Sequence, residues 1–161
     1  MPLFSIEQTN TKQLYYEYAW CAYYKLRSYK KLVITIIGIV LSIALVCVLF
    51  HRYIAAGIVL IAAPIYPIII KKAMNKQIKS AWDSNTAFQN LQYHVDFYDT
   101  YFETITENGT NKVAYDKLYG ILESDHVLAL MLGNNQGNAF DKNKMSDELI
   151  AFLKTKVKEI G

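Results

Sequence analysis

The chain has 161 residues and a net charge of +3, with 53% hydrophobic and 19% charged residues, 13 Tyr and two Cys. Two cysteines are too few for a disulfide framework, which excludes the cross-linked small scaffolds. The net charge hides a split: residues 1–79 carry ten Lys/Arg and two acids, whereas residues 80–161 carry seven Lys and twelve acids. The acidic second half excludes DNA or RNA as a partner, because phosphate contacts dominate that affinity.

From the N-terminus, residues 3–8 read as a short strand, and Thr9, Asn10 and Thr11 offer caps for a helix starting near Lys12. That helix is crowded with Tyr15, Tyr16, Tyr18, Trp20, Tyr23, Tyr24 and Tyr29. Rings with polar tips suit the headgroup level of a bilayer, and they suit equally a face packed on a downstream domain. Both roles fit different faces of one helix.

Two charge-free apolar runs follow, Leu32–Phe50 and Tyr53–Ile70, separated only by His51 and Arg52. At about 1.5 Å rise per residue, each is long enough to cross a hydrocarbon core of roughly 30 Å. The first run holds fourteen Leu, Ile, Val and Phe residues, which contribute roughly −4 to −8 kcal/mol of insertion free energy. Pro64 and Pro67 predict a kink around Ala63–Pro67 rather than a broken span. Core helices of soluble proteins rarely run this far without charge, and the first run starts too late and is too long for a cleaved signal peptide.

The basic residues orient this hairpin. Lys25, Arg27, Lys30 and Lys31 precede the first span, Lys71, Lys72, Lys76 and Lys79 follow the second, and the connection carries only Arg52. The positive-inside rule then expects a multi-pass protein of the cell membrane with both termini in the cytoplasm. The same eight flanking residues are the candidate contacts for anionic lipid headgroups, each attracted by up to about 1 kcal/mol. The plainer reading is that they only set topology. Gly38, Ser42 and Gly57 permit close helix approach, within one chain or between copies of a homo-oligomer. Cys21 before the first span and Cys47 inside it read as unpaired thiols.

After a basic linker over 71–90, the pattern turns to strands. Leu91, Tyr93, Val95 and Phe97 alternate with Gln92, His94, Asp96 and Tyr98, the mark of a half-buried strand. Tyr101–Thr106 follows, and Asn108-Gly109 predicts a type I′ hairpin turn returning along Lys112–Tyr115. Leu118–Glu123 and Val127–Leu132 read as two more strands; the second lacks alternation, as a central strand covered on both faces does. Gly133–Gly137 is a further turn. Ser146 then caps a closing helix whose apolar stripe is Leu149, Phe152, Leu153, Val157 and Ile160.

The expected fold is therefore an α+β membrane protein: a two-helix transmembrane hairpin plus a small antiparallel sheet domain closed by a C-terminal helix. Its segments are 1–31, the hairpin 32–70 (32–50 and 53–70), the linker 71–90, and the β domain 91–161.

The stretch Val113-Ala114-Tyr115-Asp116-Lys117-Leu118-Tyr119-Gly120-Ile121-Leu122-Glu123 resembles the Tyr-Ser-Asp-Ile-Tyr-x-Ile-x-Glu stretch of the YcxB-like family of small bacterial membrane proteins. The resemblance implies a pleckstrin-homology-like cytoplasmic domain and supplies no catalytic residues. One departure stands out: where the family has an apolar strand ending in Pro-Lys, this chain reads Asn138-Ala139-Phe140-Asp141-Lys142.

No reaction is legible. His51, His94 and His126 lack partners at metal-ligand spacing, and Ser124, Asp125 and His126 are adjacent residues that cannot converge as a catalytic triad. Asp96 with Asp99, or Glu123 with Asp125, could pair as acids but read as ordinary strand-end carboxylates. Asn108-Gly109-Thr110 reads as a turn rather than a glycosylation site, and no glycine-rich phosphate loop occurs. No catalytic, metal or cofactor-binding residue is assigned, and no cofactor is expected. The expected function is a membrane-tethered protein-interaction or regulatory module with a protein partner. The alternatives are a module that reads anionic headgroups and, further off, a membrane enzyme.

Overall fold

The computed structural model describes the chain except Arg27, Ser28, Ala63, Pro64, Asn135 and Gly161; the side chains of Tyr29, Lys30, Leu32 and Ala62 are also outside the described set. It is a mixed α+β structure with antiparallel sheets, divided into two compact units. One comprises Met1–Arg27 with Trp82–Gly161, the other Ser28–Ala81.

In the first unit, β1 (Phe4–Thr9), β2 (Gln92–Phe97), β3 (Tyr101–Thr106) and β4 (Gly109–Ala114) form a four-stranded sheet in sequence order. Register places Phe4, Phe97, Phe102 and Val113 in one row across it, and Ile6, Val95, Thr104 and Asn111 in another. Side chains of alternate residues share a face, so both rows point inward. Val95, Phe97 and Phe102 are fully buried there. The β3–β4 turn departs from type I′: Glu107 and Asn108 are its central residues, and neither has positive φ. Only Gly109, at φ 135°, does. The Thr106 hydroxyl holds the turn, accepting from the Asn108 N–H and donating to the Gly109 carbonyl.

A 3₁₀ turn at Tyr115–Lys117 leads to the second sheet, β5 (Gly120–Glu123), β6 (Val127–Gly133) and β7 (Gln136–Asp141), with β6 central. β6 is covered on both faces, as its unbroken apolar run predicts. Leu128 and Leu130 join the main core with Val95, Phe97, Phe102, Phe140, Leu149 and Leu153. Ala129 and Met131 face the other way, against Tyr18, Cys21, Ala22 and Leu26. Those residues belong to α1 (Lys12–Leu26), capped by the Thr11 hydroxyl accepting from the Leu14 N–H. One face of the aromatic helix thus packs on the domain, while Tyr24 stays exposed.

The last helix of the chain, spanning Asp147–Lys156, is capped by the Ser146 hydroxyl and closes the main core through Leu149 and Leu153. The expected stripe ends at Val157. Ile160 is not helical: Lys158–Ile160 runs alongside β5, with the Ile121 N–H donating to Lys158 O and the Ile160 N–H to Ile121 O. Ile160 therefore packs in the α1 cluster on the opposite side of the sheet. Gly120 permits this approach, since a Cβ there would lie 2.8 Å from both Lys158 O and Ile160 Cγ2.

The second unit contains α2 (Tyr29–Leu49), α3 (Tyr53–Ala62) and most of α4 (Ile65–Ser84). The run Tyr53–Ser84 is long and apolar enough to cross a membrane by length and composition, with hydropathy 2.2 over its best window and 7% of that window buried. The apolar part of α2, Val33–Leu49, is shorter. The helices α2 and α3 pack together, with Ala44 and Ala56 buried, and leave Ile37, Leu41, Leu45, Ile54, Ile58 and Ile61 exposed. Their connection is a Schellman turn: the Arg52 N–H donates to Cys47 O, the His51 N–H donates to Val48 O, and His51 sits at φ 57°. The kink expected around Ala63–Pro67 falls in part outside the described residues.

Candidate functional site

The two sheets are covered unequally. The second has the main core on one face and α1 on the other, whereas the first buries only its inner rows. Its outer face carries two rows set by register: Ser5, Asp96, Glu103 and Lys112, and beside them Glu7, His94, Ile105 and Thr110. These residues are exposed or half-buried. Asp96 accepts from the Ser5 hydroxyl and contacts His94 Nε2 at 3.0 Å. The Ser5 bond, reinforced by His94, holds the Asp96 carboxyl below the usual carboxylate range. Lys112 pairs with Glu103 at 3.7 Å and lies 3.4 Å above the Tyr101 ring. Three carboxylates against one lysine and a histidine make the face net acidic.

At one end of this face is a polar groove of about 780 Å³, lined among others by Glu7, Gln8, Asn90, His94, Glu107 and Lys144. Beneath it, buried Gln8 joins the two sheets. Its Nε2 donates to Ala139 O at 2.8 Å and to the Tyr93 hydroxyl, while its Oε1 accepts from the Asp141 N–H at 2.8 Å. The Tyr93 hydroxyl donates in turn to Ala139 O, and burial raises its pKa well above the ordinary tyrosine value. Asp141 stands where the family pattern has Pro. Proline has no N–H, so the departure supplies the donor that Gln8 accepts from. Asp141 Oδ1 also accepts from the Asn143 N–H.

Glu123 and Lys142, both marked by the resemblance, meet at 2.8 Å, and Lys154 adds a second contact to Glu123 at 2.6 Å. Burial alone would raise the Glu123 carboxyl; the hydrogen bonds from Lys142 and Lys154 outweigh it and hold the group low. This cluster ties β5 to the segment after β7 and to the last helix. It is a saturated ion-pair network rather than a reactive pair.

Of the eight lysine and arginine candidates, Lys25 belongs to the first unit and Lys31, Lys71, Lys72, Lys76 and Lys79 to the second. Lys31, Lys71, Lys72, Lys76 and Lys79 are exposed on α2 and α4. Lys25 is half-buried on α1 and lies 3.8 Å from Glu159. Arg27 and the Lys30 side chain are outside the described residues. Among those described, no group of His, Cys, Asp and Glu could hold a metal ion. Both cysteines are free, and burial pushes the Cys21 thiol up. The carboxylates weighed as acid pairs and read as ordinary are engaged separately: Asp99 with Lys156, Asp96 with Ser5 and His94, Glu123 with its two lysines.

Sequence reading missed Gln8 and Lys154. A Gln within a half-exposed strand carries no sign of burial, and Lys154 reads only as a favourable charge near a helix C-terminus.

Comparison with curated proteins and with solved structures gives no match. Residues 97–157, from the end of β2 to the residue after the last helix, match the family model described as YcxB-like protein.

Proposed function

We propose that the chain is a two-span membrane protein whose β domain, pleckstrin-homology-like in its four-plus-three strand order and closing helix, is a cytoplasmic protein-docking module. The membrane part rests on the exposed aliphatic surface of α2 and α3, an apolar area of the kind that soluble monomers do not leave open. The pairing of β1 with β2 supports an even number of crossings. These strands flank the second unit in the chain, so the polypeptide that leaves the domain after α1 must come back to it. Both termini then lie on one side, in agreement with the flanking lysines.

The docking role is carried by one observation: the first sheet presents an uncovered, acidic outer face, while the second is covered on both sides. The partner that fits offers a basic, polar segment to Glu7, Asp96, Glu103 and the groove beside them. The test uses the full-length protein in its native membrane, with a photo-crosslinking residue at Ile105 and a control at Lys117. A protein captured at comparable amount from Ile105 alone, and lost in Glu7→Lys/Glu103→Lys, is the expected result. Equal labelling from both positions, or labelling unmoved by charge reversal, would refute it.

A further inference from the structure

On the outer face of the first sheet, register sets Asp96 directly opposite Glu103, and Glu103 directly opposite Lys112. Like charges directly opposite on a sheet repel, so Asp96 and Glu103 together favour a cation over them. Tyr101 stands two residues before Glu103 on β3 and shares its face. The Tyr98 N–H donates to Tyr101 O across the β2–β3 turn, and the two rings stack with centroids 4.5 Å apart. A ring fixed in this way beside carboxylates suits a cation.

The chain already places a cation there. Lys112 reaches diagonally from β4 over β3, and its ammonium sits 3.4 Å from the Tyr101 centroid and 3.7 Å from Glu103 Oε1. We propose that Lys112 is a stand-in: the seat formed by Tyr101 and Glu103, with Asp96 opposite, takes the guanidinium of an arginine from the partner's basic segment, and Lys112 gives way to it. The proposal deepens the docking reading above and rests on it.

The geometry favours arginine over a second lysine. A separation of 3.7 Å is beyond hydrogen-bond length, so Lys112 holds Glu103 by charge alone. A planar guanidinium can lie on the ring while its edge forks onto a carboxylate, which a compact ammonium cannot do. Lys112 is also easily displaced. Its side chain is 56% exposed, and an exposed ion pair contributes little. It lies on the edge strand of the sheet, so it can swing into solvent without disturbing a further strand. Asp96 stays ionised, because the Ser5 hydroxyl, helped by His94, holds its carboxyl below the ordinary range.

The seat also stands at a useful distance from the polar groove. Tyr101 and Ile105, which lines that groove, are four residues apart along β3, about 13 Å at roughly 3.3 Å per residue. An extended segment with an arginine on Tyr101 therefore brings a basic residue four positions away to the groove, beside Glu7 and Glu107.

The experiment takes the full-length protein in nanodiscs of phosphatidylcholine, whose neutral surface does not attract the probe. The probe is a fluorescein-labelled peptide, Gly-Arg-Gly-Ser-Gly-Arg-Gly, compared by anisotropy with its lysine twin. The arginine peptide should bind on the order of fivefold more tightly, and Tyr101→Leu should remove that preference. Lys112→Gln should tighten arginine binding by about threefold or more. Lys117→Gln, an equal change of charge in the 3₁₀ turn after β4, should tighten it less. Equal binding of the two peptides, a preference that survives Tyr101→Leu, or equal effects of the two lysine variants would overturn the proposal. Crosslinking at Ile105 scores the docking reading separately. Charge-dependent capture there with no arginine preference refutes the seat alone, whereas capture unmoved by charge reversal refutes both.

Discussion

Glu123 and Lys142 approach to 2.8 Å across the end of the second sheet, and both belong to the two short stretches by which this chain resembles the YcxB-like family. Lys154 joins them from the last helix. Losing the carboxylate would leave two ammonium groups facing a neutral amide, with the Ser124 carbonyl as the remaining partner of Lys142. Glu123→Gln should therefore lower stability by about 1–2 kcal/mol, with partial exposure limiting the effect. Chemical denaturation of the detergent-solubilised protein measures it.

The same cluster sets a pH dependence. The Glu123 carboxyl is held below its unfolded value, so its contribution is complete above the ordinary carboxylate range and is lost as pH falls through the folded value. Lys154 is raised by its bond to Glu123; its contribution is present below the unfolded lysine value and disappears as pH rises through the folded one. Denaturation midpoints recorded from neutral pH down to pH 3 should decline less steeply in Glu123→Gln than in the native chain. Parallel curves would show that other carboxylates control the acid limb.

Thr104 lies in an inner row of the first sheet, and its hydroxyl is buried with no partner among the described residues. Thr104→Val keeps the shape and removes the unsatisfied oxygen. The expected gain is about 1 kcal/mol, seen as a higher thermal midpoint. A loss of stability would mean that the hydroxyl is solvated.

Gln8 and Asp141 should behave as one unit. Asp141→Pro, which restores the family pattern, removes the N–H that Gln8 accepts and should cost about 1–3 kcal/mol. In Gln8→Met that bond is already absent, so the same change should cost much less. A double-mutant cycle reads the difference as a coupling; additive effects would remove Asp141 from the joint between the sheets.

His51 occupies a left-handed position that favours glycine. His51→Gly should stabilise the α2–α3 turn by about 0.5–1 kcal/mol, measured as slower hydrogen exchange at the Arg52 amide.

Much of this architecture is legible in the residues. Alternation from Leu91 to Phe97 marks β2, the unbroken apolar run of Val127–Leu132 marks a strand covered on both faces, and Ser146 marks the start of the last helix. What escaped the sequence depends on contacts between distant segments. Ile160 fits a helical stripe by spacing, yet the chain beyond Val157 finds a better partner in the open edge of β5. Asn108-Gly109 has the composition of a type I′ turn, but register across β3 and β4 moves Gly109 out of the centre. The acidic outer face emerges only when β1, β2, β3 and β4 are aligned, since no single strand carries more than one of its three carboxylates.

The separation of β1 from β2 along the chain also sets a timetable. At about 5–20 residues per second, a ribosome needs on the order of 4–16 s to make residues 10–91. For that interval β1 has no strand to pair with, while the apolar helices emerge first. β1 can be seated only once β2 has been made, and Gln8 cannot reach Ala139 and Asp141 until β7 has been made. A chain shortened by its first ten residues should still place its helices and yet leave the edge of β2 unpaired. In newly made protein the unpaired edge is instead that of β1, and until β2 emerges chaperones or aggregation compete for it.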